Sequence, residues 1–372
     1  LVVLLIGKPD PIFPEALQGR FALSEPARFS IPYRPSKKGL HMSLLNRFFL
    51  GLGLVLVPAG AHAENTLLNA SYDVSRELYK EINPAFAAHW KKEKGSDIAV
   101  NQSHGGSTKQ ALAVANGLEA DVVTFNQATD LDFLAEKGLV AKDWKSKFPN
   151  EAAPYTTTSV FIVRKGNPKG IKDWADLAKA GTSVVIPNPK TSGNGRYTYL
   201  AAWGYELDKT KSDEKARAFV TSLFANVPVF DGGGRGATTT FTQRAVGDVL
   251  VTFENEVGLL KAEFGDDFDV VYPTLSVEAA PPVAVVEAVA AKRGSAETAK
   301  AYLDFLYSPE GQKIIAKHGF RPRDTASLAA SQLPAIKTFR VEDVFGNWAK
   351  AQKEHFADGG IYDQITTAAK SN

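Results

Sequence analysis

From residue 66 onward, short apolar runs alternate with stretches in which apolar residues recur every three or four positions. The short runs predict strands: "TLLNASY", "DIAVNQS", "ADVVTFN", "TSVVIPN", "DVLVTFENE" (turning helical at its end), "DVVYPT" and "PPVAVVEAV". The three-to-four spacing predicts helices over "SRELYKEINPAFAAHWKKE" (interrupted near Pro84), "TKQALAVANGL", "KDWADLAK", "RYTYLAAWGYEL", "DEKARAFVTSLFANV" and "TTFTQRAVG". A helical pair follows over "AETAKAYLDFLYSPEGQKIIAKHG", and a late helix over "EDVFGNWAKAQKEHF". Strand and helix in alternation predict an α/β chain with mainly parallel sheets flanked by helices.

The first 63 residues break this rhythm. Met42 is the single methionine. It opens "MSLLNRFFLGLGLVLVPAGAHA", in which Arg47 supplies a positive start, ten apolar or glycine residues follow, Pro58 ends them and Ala61-His62-Ala63 has the form of a cleavage site. This order predicts a secretory signal peptide over 42–63, cleaved near Ala63. Its apolar run is too short to span a bilayer as a helix. Residues 1–41, Pro-rich and without methionine, are expected to be a non-native upstream extension.

Composition then narrows the function. The segment 64–372 holds 309 residues, enough for two domains. The basic balance of the whole chain comes from the leader; 64–372 has a net charge of −2, so nothing points to a nucleic-acid partner. Without cysteine, disulfides, thiolate–metal sites and Cys nucleophiles drop out, as does a lipidated anchor. His89, His104, His318 and His355, the histidines of this segment, show no metal-ligand spacing. Trp203 and Trp348 sit in helical apolar patterns, as core residues do.

Four places run from a strand directly into a helix start. Asp73 follows "LLNASY" in an N-cap position; "HGGSTKQAL", "KTSGNGRYTYL" and "FDGGGRGATTTF" place Gly105–Ser107, Ser192–Asn194 and Gly232–Gly236 the same way. Each aims free backbone N–H groups at the positive end of a helix, which suits an anion. One such loop is usually only a turn. Four of them, with no carboxylate inside "GGST", "TSGN" or "GGGRG", form a stronger pattern. None has the spacing of a Walker A loop or a supported dinucleotide fingerprint.

At this point the motifs "SYDVSRELY", "QSHGGSTKQAL", "ADVVTFNQATD", "VRKGNP", "PNPKTSGNGRYTYLAAWGY", "FDGGGRGATTTF", "GDVLVTFENE", "AYLDFLYSPEGQ", "RPRD" and "HFADGGIYDQI" together resemble the periplasmic sulfate/thiosulfate-binding protein family, over Asn69 to Ile365. The resemblance implies a two-lobed periplasmic binding protein of type II, with the ligand in the interlobe cleft. Lobe 1 would comprise 64–163 and 270–335, and lobe 2 164–269 and 336–372, with hinge crossings near "YTTTSVFIVRKG" and "SVEAAPPVAVVEAV". It implies that the anion is held by the N–H of Asp73, the hydroxyl of Ser107, the hydroxyl and N–H of Ser192, and the N–H groups of Gly193, Asn194 and Gly234. At Phe253 the sulfate-specific branch carries a tryptophan whose indole donates; phenylalanine has no donor there and leaves more apolar room. "SYDVSREL", "KTSGN" and "GGRGATTTF" are nearer the thiosulfate branch and "RPRD" nearer the sulfate branch, so both ligands stand. Lys109 and Arg235 are expected behind the direct contacts, with Lys109 on a solvated helix face, and His104 as a structural histidine bonded to backbone. The resemblance further implies a periplasmic monomer that delivers the anion to the permease and ATPase subunits of an ABC importer, needing no cofactor and performing no catalysis.

The chemistry is coherent. Sulfate near neutral pH offers only acceptors, and a pocket made only of donors suits it. Phosphate carries a proton that meets another donor there, and mismatched buried groups cost roughly 1–3 kcal/mol. The condition is that the Asp73 carboxylate caps its own helix and points away from the anion. Two further readings stay open: a receptor for another oxyanion (phosphate, molybdate), the ferric relatives lacking a supporting tyrosine pair, and a periplasmic ester hydrolase, for which Ser107 and Ser192 show no His–Asp partners.

Overall fold

The computed structural model describes residues 66–370; the upstream segment and the signal peptide read from the sequence lie outside them. Two sheets organise the chain. The first joins β1 (Thr66–Tyr72), β2 (Ala99–Gly105), β3 (Val122–Thr124) and β10 (Val283–Val285) in the order β10-β3-β1-β2. The second holds β4 (Tyr155–Arg164), β5 (Val184–Pro187), β6 (Phe230–Asp231), β7 (Val249–Phe253), β8 (Phe268–Val271), β9 (Ser276–Ala279), β11 (Arg321–Pro322) and β12 (Thr338–Phe339). Its path is β12-β9-β4-β7-β5-β6, with β8 and β11 also paired to β4.

Register explains where the loops emerge. β1 and β2 run parallel and level, from Thr66↔Ala99 to Tyr72↔Gly105, and β3 lies parallel on the other side of β1. The chain therefore leaves all three strands at one edge. β5 and β6 are parallel too, with Pro187 opposite Asp231, so the loops after them also emerge together. In open α/β sheets, the carboxyl ends of parallel strands form the crevice where ligands bind. The antiparallel pairs involve β4 and β10. β4 meets β9 at Thr157↔Ala279 and Thr158↔Glu278, where the chain passes from one sheet to the other and back.

Helices cover both sheets through apolar stripes. The helix Arg76–Lys94 buries Leu78, Tyr79, Ile82, Phe86 and Trp90. Phe86 meets the Tyr302 ring edge-on at 5.2 Å. The helix Gly193–Thr210 is buried along its whole first two-thirds, Gly193 to Gly204, which places its N-terminus inside the protein.

Three expectations change. Pro84 does not interrupt its helix, which runs unbroken through it; the buried stripe on either side holds the helix together despite the missing N–H. "KDWADLAK" forms only the single turn Trp174–Leu177, capped by Asp173. The late helix is three pieces, Val341–Phe345, Trp348–Ala351 and a π-helical turn Gln352–Phe356, because Gly346 takes φ 80° between the first two.

Candidate functional site

Each of the four strand-to-helix loops becomes a helix start. Asp73–Ser75 is a short 3₁₀ turn leading into the helix Arg76–Lys94. The others open at Ser107 (Ser107–Ala115), at Gly193 and at Gly234 (Gly234–Thr242). The first ladder bonds are Gln110 N–H to the Gly106 carbonyl, Arg196 N–H to Ser192 and Ala237 N–H to Gly233. The N–H groups of Ser107–Lys109, Gly193–Gly195 and Gly234–Gly236 precede those ladders and need other acceptors.

The structure brings these starts into contact across the two sheets. A Cβ on Gly106 would stand 2.7 Å from the Thr191 carbonyl oxygen and 3.1 Å from that of Gly232. One on Gly234 would meet Val74 Cγ1 at 2.7 Å and Asn194 Nδ2 at 3.2 Å. At Gly106 the obstacle is backbone of the opposing loops, and at Gly234 it is the Val74 side chain from the other sheet together with that of Asn194, so a side chain at either position would crowd the meeting of the starts.

Asp73 does not cap its own helix. No side chain caps the 3₁₀ turn, and the Asp73 Oδ2 instead accepts from the Arg235 N–H at 3.2 Å. Burial pushes its carboxyl above the ordinary range, with the Arg235 N–H opposing the shift. The carboxylate thus occupies one donor of the opposing helix start, Gly234–Thr242.

Two of the serine roles also change. The Ser107 hydroxyl donates to Asp130 Oδ2 at 2.5 Å and accepts from the Asn126 N–H at 3.2 Å, so the free donor here is the Ser107 N–H. The Ser192 N–H is bonded to the Asn188 carbonyl at 2.9 Å inside its own turn, leaving the hydroxyl as the serine's donor. Asn194 turns its side chain inward, Nδ2 to Thr252 Oγ1 at 3.3 Å, which leaves its N–H for the site. Phe253, at the end of β7, is fully buried and packs edge-on against Tyr197 at 5.8 Å. The Tyr197 ring is in turn met edge-on by Trp348 at 5.1 Å.

Behind these groups lies a layer of ionisable side chains. His104 bonds through Nδ1 to the Ser71 hydroxyl at 2.5 Å, a side-chain partner and not the expected backbone one. Burial lowers its pKa to about 4, with Arg76 adding to the effect, so it is neutral at pH 7. Lys109 is exposed, but its ammonium reaches the opposing loop, 3.0 Å from where a Cβ on Gly232 would stand. The Arg235 guanidinium bonds Glu77 at 2.5 Å and approaches buried Glu256 at 3.5 Å. Burial pushes the Glu256 carboxyl up to about 8, against the attraction of Arg235.

Sequence reasoning missed Glu77, Glu256, Asp130 and Asn126. The last two had a usable signal: "TFNQATD" follows a strand flanking β1, and its loop opens at the same sheet edge. Among the described residues, no group of three or more His, Asp or Glu side chains is placed to hold a metal ion, and no helix is long and apolar enough to cross a membrane.

The fold and the convergence of helix starts define a two-lobed solute-binding protein. Comparison with known proteins carries the assignment further. The family model described as bacterial extracellular solute-binding protein matches residues 67–321. The thiosulfate-binding protein of Pseudomonas aeruginosa is 57% identical over 326 residues, covering 87% of this chain and 98% of that one. The sulfate-binding protein of Escherichia coli is 51% identical over 327 residues, covering 87% and 99%. Among solved structures, the sulfate-binding protein SubI from Mycobacterium tuberculosis superimposes with a TM-score of 0.72 at 32% identity, covering 78% of this chain and 99% of that one. The chain belongs to the sulfate/thiosulfate-binding family of bacterial extracellular solute-binding proteins.

Proposed function

We propose that this protein is the periplasmic receptor of an ABC importer for sulfate, thiosulfate or both. It binds the dianion between its lobes and delivers it to the permease, whose partner ATPase drives import. The observation that carries the reading is the meeting of four helix starts from two sheets around N–H donors, with the Asp73 carboxylate turned onto Arg235. The direct donors are the N–H groups of Asp73, Ser107, Gly193, Asn194 and Gly234 and the hydroxyl of Ser192, with Phe253 as the apolar wall. Ser107 joins with its hydroxyl when that group turns from Asp130.

No cation need touch the ligand. Oriented peptide dipoles and helix ends, ordered before binding, disperse its charge. Lys109, His104 and Arg235 act through the loops they touch. The lobes are 64–163 with 270–335 and 164–269 with 336–372; this is supported by the first sheet falling wholly in the former and β5, β6 and β7 in the latter, with β4 and β9, at the crossings, paired to each other within the second sheet. The anion favours the closed form because contacts to both lobes exist only there. The protein acts as a monomer, after removal of the leader near Ala63, without cofactor or catalytic turnover.

The test is calorimetric titration of the anion-stripped mature chain with sulfate, thiosulfate and phosphate at two pH values, beside a turnover assay on aryl sulfate and phosphate esters. Tight binding of sulfate or thiosulfate that ignores pH, with weak phosphate and no turnover, is expected. Phosphate binding best, or ester hydrolysis, sinks the reading.

A further inference from the structure

Asn126 stands where a helix start of the first sheet meets one of the second. Its own N–H donates to the Ser107 hydroxyl at 3.2 Å, which fixes it beside one helix start. Its side chain reaches the other: Oδ1 lies 1.9 Å, and Nδ2 2.8 Å, from where a Cβ on Gly193 would stand. Cβ atoms tilt toward the N-terminus of a helix, so a group in that position lies over the open end of Gly193–Thr210. Asn126 is 2% exposed, and its Oδ1 has no hydrogen-bond partner. A buried acceptor without a donor is destabilising, and structures retain one where a functional partner completes it.

We propose that Asn126 is a further anion contact, a side-chain donor that joins the backbone N–H groups and couples recognition to closure. This rests on the receptor reading above. A primary amide carries two donors and an acceptor in nearly the same shape. Turned over, it presents NH₂ to a fully ionised oxyanion. Because Asn126 follows β3 of the first sheet while Gly193 follows β5 of the second, the contact exists only when the lobes meet. Glycine at 193 is then a matching requirement, since any side chain there displaces the amide.

The test uses the mature chain with Asn126→Ala and Asn126→Asp, titrated with sulfate, thiosulfate and phosphate, and melted without ligand. Asn126→Asp keeps the shape and offers only acceptors. At neutral pH it is expected to weaken sulfate and thiosulfate at least a hundred-fold, and Asn126→Ala about ten-fold, the scale of one hydrogen bond to a charged group. Unliganded melting temperatures should stay close to wild type in at least Asn126→Ala. Both variants binding within two-fold of wild type overturns the proposal. So does Asn126→Asp binding normally while Asn126→Ala does not, which assigns the residue a role in size alone. Tight wild-type phosphate binding that Asn126→Ala abolishes also overturns it, because Oδ1 then acts as an acceptor. A wild-type chain that binds neither sulfate nor thiosulfate instead removes the receptor reading itself.

Discussion

The Asp73 carboxylate accepts the backbone N–H of Arg235 at 3.2 Å, linking the end of the first strand to the helix start after β6. A carboxylate at an anion site is disruptive if it faces the ligand. Here it caps a helix end across the cleft, and the bond forms only while the two loops touch. Asp73→Ala removes that cap, a change worth about 0.5–2 kcal/mol for an N-terminal acceptor. Anion affinity is expected to fall about three- to ten-fold, and Asp73→Asn, which keeps an oxygen acceptor, to recover most of it. Calorimetry on the three proteins decides; equal loss in both variants would assign the effect to charge.

Gly106→Ala sets a methyl group against two carbonyl oxygens of the opposing loops, at 2.7 and 3.1 Å. Backbone cannot swing aside as a flexible side chain does. The expected protein folds normally and is propped open. Its unliganded melting temperature stays near wild type, while the rise that the anion produces by binding the native state disappears. A full ligand-induced shift in Gly106→Ala would rule out these contacts as a feature of the bound form.

Glu256 makes stability depend on pH. Its folded pKa, about 8, stands above its ordinary 4.5. The native state therefore holds a proton that the unfolded chain has released between those values. The contribution is complete below pH 4.5 and is lost as pH rises toward and through 8. Denaturant unfolding of unliganded protein should show stability falling across this window, and Glu256→Gln should flatten the fall. The variant is expected to match wild type near pH 5 and to exceed it by a few kcal/mol at most near pH 9. Identical slopes would mean that Arg235 holds the carboxylate ionised throughout.

His104 is neutral above pH 5, its pKa lowered to about 4 by burial. Sulfate and thiosulfate affinities are expected to be flat from pH 6 to 8, and His104→Gln to leave that profile unchanged. The stability contribution has the opposite sense to that of Glu256. It is present above the unfolded value near 6.5 and is lost as pH falls through 4. A change in affinity centred between pH 6 and 7 that vanishes in His104→Gln would make this histidine a proton switch.

Phe253 is sealed against Tyr197, ring centres 5.8 Å apart. Phe253→Trp adds an indole donor at the cost of overpacking, about 1–3 kcal/mol of stability. The sulfate-to-thiosulfate affinity ratio is expected to rise several-fold, read by paired titrations. An unchanged ratio would show that the ring at 253 does not reach the anion.

Much of this architecture is legible along the chain. Apolar period and turn chemistry located β1, β2, β5 and β7 and the starts at Ser107, Gly193 and Gly234, because these signals lie within a few neighbouring residues. Glycine-flanked helix starts also announced an anion, since free N–H groups follow from local geometry alone. At Pro84 and Gly346 the structure departs from the sequence pattern in opposite directions. Packing on either side carried the helix through the proline, while a left-handed glycine broke a pattern that looked continuous.

What the chain alone did not reveal is where each hydrogen goes. The Ser107 hydroxyl turns to Asp130, the Ser192 N–H to Asn188, the Asp73 carboxylate to Arg235, and Asn126 over Gly193. Except for Ser192, whose partner lies in its own turn, these join residues 23 to 162 positions apart in sequence. Sequence fixes donors and acceptors and the local backbone that presents them. Only the tertiary structure, by parallel register and the meeting of two sheets, decides which of them face each other and which remain for a ligand.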